Sequence, residues 1–122
     1  MKNKTEWFKP IGGNFNKVCR DCVKKSPSSS VAWFLMTSFA YYHYDISILT
    51  DEVFDKMCKY MLDNYELISH PHKYLVTKDM LGAGSGYNLT WSDYPQIVRV
   101  STHRFINEIQ DYNQEQYTKE YL

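Results

Sequence analysis

One apolar stretch constrains the fold of this chain most. Residues 31–44 read VAWFLMTSFAYYHY, which places apolar or aromatic side chains on nearly every side of a helix. A helix that is apolar all round belongs in the centre of a core. The stretch is shorter than the ~18 residues that a membrane span needs, and it contains Ser38 and His43. We therefore predict a central core helix, and no membrane association.

The segment before this helix has the pattern of an amphipathic helix. Asn14 is a candidate cap for a helix that ends near Lys25, before the break at residues 26–30. Residues 1–13 precede it and are predicted to form an irregular basic arm. The apolar positions recur at helical spacing, at Phe15, Val18, Cys19, Cys22 and Val23.

A third helix is predicted after residues 45–49. Thr50 is a favourable N-cap, and the carboxylate of Asp51 lies in the first turn, where it complements the helix dipole. We expect this helix to end near Ser69, because Pro71 disfavours helical geometry just before itself. Its apolar stripe comprises Phe54, Met57, Cys58, Met61, Leu62, Tyr65 and Ile68.

The remainder divides into a loop and a last helix. Residues 72–94 are predicted to be a loop region, and their glycine-rich part at 82–86 is either a tight structural turn or a phosphate-binding loop. Residues 95–122 favour a C-terminal helix, although 96–101 also alternate like a short strand. The fold class predicted for the 122 residues is therefore mainly α, a single small helical bundle with a hairpin at 31–71.

Charge limits the classes of partner. The 14 Lys and Arg residues balance 14 Asp and Glu residues, which removes the general electrostatic argument for nucleic-acid binding. Residues 1–25 nevertheless hold seven basic and two acidic side chains. Contact between this arm and DNA is therefore a third, weaker hypothesis for the function, and such binding should fall steeply with salt.

Three cysteines suit a reducing compartment, so we expect a soluble cytoplasmic protein (the host cytoplasm if the chain is viral). Cys19 and Cys22 form a lone Cys-x-x-Cys pair, the only weak candidates for a metal site. A structural zinc needs four ligands, and His70, His72 and Cys58 are possible completions, although His70 and His72 are closer together than the usual spacing. Zinc, a redox pair and buried thiols all remain open, and buried thiols are favoured.

Residues 39–71 carry a recognisable pattern. Residues 39–55 read FAYYHYDISILTDEVFD, and the segment closes with Ser69-His70-Pro71. This resembles the N-terminal Ia domain of bacterial NAD-dependent DNA ligases, in which a Tyr-His ends one helix and a Tyr-Asp pair opens the next. Asp45, Asp51 and Asp55 are six and four residues apart, as the family's aspartates are. The match covers about a quarter of the chain, and His70-Pro71 comes one residue late.

The resemblance implies a nucleotide ligand. The Ia domain folds over NAD and holds its nicotinamide mononucleotide (NMN) half, with aromatic rings beside the nicotinamide and carboxylates on the ribose and amide. Transferred by position, the family's Tyr-His falls on Tyr41-Tyr42, with His43 adjacent, and its Tyr-Asp on Phe54-Asp55. The implied ligand-binding residues are Tyr41, Tyr42, His43, Asp51, Phe54 and Asp55. Tyrosine in the histidine position and phenylalanine in the second tyrosine position are departures from the family pattern.

Two functions follow as leading hypotheses. The first is a non-catalytic NAD- or NMN-binding module that acts in trans with a DNA ligase or another nucleic-acid enzyme. The chain lacks the family's Lys-x-Asp-Gly adenylation motif, so we expect no ligation by the chain alone. The alternative is a small, phage-like interaction or regulatory module that keeps the Ia hairpin only as scaffold. The aromatic-rich segment 87–94 is then the expected interface, because aromatic residues are enriched at interfaces.

Overall fold

The structure, a computed structural model, describes residues 15–121, and at positions 113, 116, 117, 120 and 121 it describes the backbone only. The basic arm at 1–13 and the candidate cap Asn14 lie outside the described residues. This part of the chain is helical and contains no strand, which confirms the mainly α prediction. Its α-helices are α1 (Asn16–Lys25), α2 (Ser30–Tyr44), α3 (Asp51–Asp63), α4 (Lys78–Ala83) and α5 (Gln96–Tyr121).

The helix α2 is the centre of the core, as its sequence predicts. It packs against α1, α3 and α5, and every residue from Ser30 to Ala40 except Ala32 is buried. Phe34 stacks on Phe54 of α3 with 5.5 Å between ring centroids. Because apolar side chains surround the helix axis, neighbours are needed on all sides, and the amphipathic helices supply them.

The connection between α2 and α3 is short and capped at both ends. Asp45 adopts the left-handed conformation, with φ of 57°, and its backbone N–H donates to the carbonyl of Tyr41. Aspartate tolerates this conformation better than most residues. At the start of α3 the Thr50 hydroxyl accepts a hydrogen bond from Val53 N at 3.4 Å, which confirms the predicted N-cap. The two helices therefore form the expected hairpin.

The predicted end of α3 near Ser69 is wrong. The helix ends at Asp63, and a single 3₁₀ turn follows at Tyr65–Leu67. Asn64, the C-cap residue, leaves the helical conformation with φ of −117°, and its side-chain amide also donates to the Tyr60 carbonyl at 2.8 Å. A side chain that satisfies a terminal carbonyl of a helix favours its termination.

The segment 72–94 is more ordered than the loop that we predicted. Its regular structure is the helix α4 and 3₁₀ turns at Lys73–Leu75 and Trp91–Asp93. The Thr77 hydroxyl caps α4 by accepting from Met80 N at 3.2 Å, and Gly84, with φ of 64°, ends it. A helix this short escapes sequence patterns, since its stability comes from burial of Met80 and Leu81.

The last helix, α5, confirms the helical reading of 96–101 over the strand alternative. Its first half buries Val98, Thr102, Ile106 and Ile109, mainly against α2. After Ile109 every described side chain is exposed. Among the helices of residues 15–121, none has the length and apolar character needed to cross a membrane.

Candidate functional site

The glycine-rich loop after α4 connects two of the predicted site residues. Tyr42, near the end of α2, is 40% exposed, and its hydroxyl forms a hydrogen bond with the Ser85 hydroxyl. The neighbouring Gly84 lies beside α3, where a Cβ atom added to it would be 3.4 Å from Asp55 Oδ1. Consecutive residues of one loop therefore contact Tyr42 on one side and approach Asp55 on the other. We call Tyr42, Ser85, Gly84 and Asp55 the tyrosine–aspartate surface.

A depression adjoins this surface on the Asp55 side. It has a volume of about 390 Å³ and lies between α3 and α4. This volume falls within the range of roughly 300–1,000 Å³ that is usual for small-molecule sites. Its polar rim includes Lys59, whose Nζ is 4.0 Å from Asp63 Oδ2. The lining residues are Asp55, Cys58, Lys59, Leu62, Asp63, Leu81, Gly82, Ala83 and Gly84.

Two further predicted residues lie close to the tyrosine–aspartate surface in the chain. The ring of Tyr41, which is half-buried, meets the Tyr42 ring edge-on, with centroids 4.9 Å apart. Asp51 is exposed in the first turn of α3, one turn before Asp55. Residues four apart share a helix face, so these two carboxylates point to the same side of α3.

The structure places Phe54 in the core instead. Its side chain is 1% exposed and stacks on Phe34, so its ring face does not meet solvent. The apolar stripe of α3 is sufficient to explain this burial. The position that the ligase resemblance assigns to a ligand-stacking ring is therefore a packing position in this chain.

His43 belongs to a different cluster from Tyr42. Its ring centroid lies 5.3 Å from Phe39, 5.7 Å from Trp91 and 5.6 Å from Tyr94. The Nε2 atom is buried, and among the described residues it has no hydrogen-bond partner. His43 therefore packs against the segment 91–94 and does not belong to the tyrosine–aspartate surface.

This aromatic cluster was missed by sequence reasoning. Tyr44 and His103 complete it through a hydrogen bond of 2.8 Å between the Tyr44 hydroxyl and His103 Nε2. Burial raises the pKa of the Tyr94 hydroxyl above its usual range. The aromatic residues of 87–94 were the signal, but residues 59 apart in sequence form the bond, and no local pattern reports such a contact.

Cys19 and Cys22 are packed among other side chains of the fold. Cys19 is 2% exposed, and its Sγ lies 3.8 Å from Met57 Sδ. Cys22 is half-buried on the same helix. Within residues 15–121 no three His, Cys, Asp or Glu side chains are grouped so that they could hold a metal ion. Burial raises the pKa of the Cys19 thiol to about 12, which favours the neutral thiol over the metal-binding thiolate.

Comparison with protein families, with curated proteins and with solved structures gives no match for this chain. The resemblance of residues 39–71 to the ligase Ia domain therefore stays a prediction from the sequence.

Proposed function

We propose that this protein binds a nicotinamide nucleotide, NAD or NMN, on the tyrosine–aspartate surface and the adjoining depression. The observation that carries the proposal is the position of the loop at Gly84 and Ser85. Ser85 forms a hydrogen bond with Tyr42, and Gly84 lies beside Asp55. An exposed aromatic ring and a hydroxyl lie on one side of this loop, and on the other side is a carboxylate that lines a depression of ligand size. These are the chemical groups that the ligase resemblance implies for the nicotinamide half of NAD.

The aromatic part of the ligand would contact Tyr42. A positively charged nicotinamide ring on an exposed tyrosine gains stacking and cation–π energy of about 0.5–2 kcal/mol. Tyr41 supports the Tyr42 ring edge-on. The Ser85 hydroxyl holds the Tyr42 hydroxyl, which limits rotation of the side chain before the ligand arrives.

The polar part of the ligand would contact the carboxylates. Asp51 and Asp55 lie on one face of α3 and are both exposed. Ionised carboxylates accept hydrogen bonds, and ribose hydroxyls and the carboxamide N–H groups donate them. In this proposal Phe54 supports the site from within the core, and His43 shapes the neighbouring aromatic cluster without contacting the ligand.

The module would deliver or hold the nucleotide without performing chemistry on it. The sequence has no Lys-x-Asp-Gly motif that could accept adenylate. The proposal therefore includes a partner that supplies the nucleophile, of which a DNA ligase or another nucleic-acid enzyme is the kind that the resemblance suggests.

Calorimetric titration of NAD and of NMN into the purified protein tests this proposal. We expect saturable binding, weakened at least about tenfold by Tyr42→Ala and by Asp55→Asn, since about 1.4 kcal/mol is lost per tenfold. Asp79→Asn is the matched control, because Asp79 is also an exposed carboxylate on a helix. Absence of heat at millimolar ligand, or equal weakening by the control, would overturn the proposal.

One observation favours the alternative of a protein-interaction module. In the segment 87–94 the side chains of Tyr87 and Trp91 are 69% and 44% exposed. The guanidinium of Arg99 lies over the Trp91 ring, 5.6 Å from its centroid. Tyrosine, tryptophan and arginine are the residues most enriched among binding hot spots. Loss of partner capture in Trp91→Ala, with Tyr74→Ala as an exposed aromatic control, would support this alternative.

A further inference from the structure

A second open site lies on the other side of the helical hairpin. A groove of about 370 Å³ runs between α1 and α3, which both pack against α2. Its floor is apolar, with Cys19, Val53 and Met57 all at least nine-tenths buried. We call this site the basic groove. Its other lining residues are Arg20, Val23, Lys24, Pro27, Lys56 and Tyr60.

The rim of the basic groove is cationic. Arg20 and Lys24 extend from α1 and Lys56 from α3, and all three are exposed. Lys56 pairs with Glu52 at 2.9 Å, whereas within the described residues neither Arg20 nor Lys24 forms an ion pair. Among the described residues that line the groove, none is acidic. Its complement is therefore a segment that carries carboxylates around an apolar or aromatic centre.

The chain itself carries such a segment in the second half of α5. At helical spacing, Glu108, Tyr112 and Glu115 share one face, and Asp111 lies beside them. Tyr112 is 42% exposed, and the three carboxylates are also exposed. Within residues 15–121 none of these carboxylates forms an ion pair. The result is an acidic helix face with an aromatic residue at its centre.

This half of α5 has no packing partner among the residues that the structure describes. Residues 110–121 extend the helix by roughly 18 Å at 1.5 Å per residue, and none of their described side chains is buried. Most helical stability in proteins comes from packing of one face, and this half of α5 lacks that contribution among the described residues. A surface that packs on Tyr112 would stabilise it, and the basic groove offers both an apolar floor and charges of the opposite sign.

We propose that the protein forms a two-fold dimer in which residues 108–121 of each copy lie in the basic groove of the other. Tyr112 packs on the apolar floor beside Met57, and Asp111 and Glu115 face Lys24 and Lys56 across the rim. Two-fold exchange makes this contact twice and closes the assembly. An amphipathic helix laid into an apolar groove is a recurrent mode of recognition.

Sedimentation of the full chain over a range of concentrations tests this proposal. We expect twice the monomer mass of 14.5 kDa at high concentration, and a dimer that weakens as salt is raised. The Lys24→Glu, Lys56→Glu variant and the Asp111→Lys, Glu115→Lys variant should each weaken the dimer by about tenfold or more. The chain that carries all four substitutions should regain it, because the charges are exchanged and again complementary.

Controls separate the contact from general effects of charge. Lys59→Glu reverses an exposed lysine of α3 that lies outside the basic groove, and it should leave the dimer intact. Circular dichroism should show that each variant remains folded. A wild-type chain that stays monomeric at millimolar concentration would overturn the proposal. So would a dimer whose dissociation constant does not change with the substitutions, or a dimer that the chain with all four substitutions does not restore.

Discussion

Two helices of this molecule, α2 and α5, differ in how much of their surface other helices cover. In α2 nearly every side chain from Ser30 to Ala40 is buried, and neighbouring helices enclose it. In α5 the residues after Ile109 continue the helix with every described side chain exposed. Packing therefore stabilises α2, whereas the second half of α5 depends on its own backbone hydrogen bonds or on a partner.

The sharpest way to break this comparison is to remove one aromatic ring from each helix. Phe39 of α2 is fully buried, with ring centroids of Trp91 and Tyr94 each 5.0 Å away. Phe39→Ala should lower the free energy of unfolding by about 3–5 kcal/mol, through lost burial and the cavity left behind.

Tyr112→Ala is the matched substitution on α5. Its side chain is 42% exposed, so the expected change for the monomer is within about 0.5 kcal/mol. Urea unfolding at low chain concentration and high salt, where the proposed dimer is dissociated, measures both values. Similar losses for the two variants would show that the two helices do not differ in packing as described.

Two glycines sharpen this comparison, because one packs against α2 and the other has open space around it. A Cβ atom on Gly86 would lie 2.8 Å from Ser38 Oγ and 3.1 Å from Ser38 Cβ. Ser38 belongs to the buried helix α2, so its Cβ atom cannot move away easily. Gly86→Ala should therefore cost about 1–3 kcal/mol of stability.

Gly82, within the helix α4, has open space around it. Gly82→Ala should therefore stabilise the protein by about 0.5–1 kcal/mol, through the lower backbone entropy of alanine in the unfolded chain. Thermal unfolding of the two variants should give shifts of opposite sign. Equal shifts would contradict the close packing of the loop against α2.

The sequence predicted the elements whose signals are local and strong. Continuous apolar character indicated α2, and the Thr50 cap indicated the start of α3. The helix α4 was missed, because Gly82 lowers helix propensity and burial of Met80 and Leu81 compensates only in the folded chain. Propensity and pattern therefore predicted the elements whose signals are local in the sequence.

The candidate site was predictable only in part. Tyr42 and Asp55 are both exposed, but their connection depends on the loop that contains Ser85, which is 43 residues from Tyr42 in sequence. The sequence allowed two environments for Phe54, the core and the ligand site. Phe54 belongs to the apolar stripe of α3, and it also matches a position of the ligase pattern. The stacking on Phe34 decided for the core.

Two cysteines inside the molecule make its stability depend on pH. Burial raises the pKa of the Cys19 and Cys58 thiols from 9.0 to about 12. Above pH 9 the unfolded chain releases these protons while the folded chain retains them. Stability is therefore fully present below pH 9 and falls as the pH rises toward 12, by about 1 kcal/mol for each thiol at one pH unit above 9.

Urea unfolding of the wild type and of the Cys19→Ala, Cys58→Ala variant at several pH values measures this effect. The contribution of Tyr94, whose pKa burial also raises, is common to both chains and cancels in the difference. Between pH 7 and 8 the two chains should lose stability with the same slope, which is the internal control. From pH 9 upward the wild type should lose more. Parallel slopes up to pH 11 would mean that water reaches both sulfur atoms, and that the packing around Cys19 and Cys58 is looser than their burial indicates.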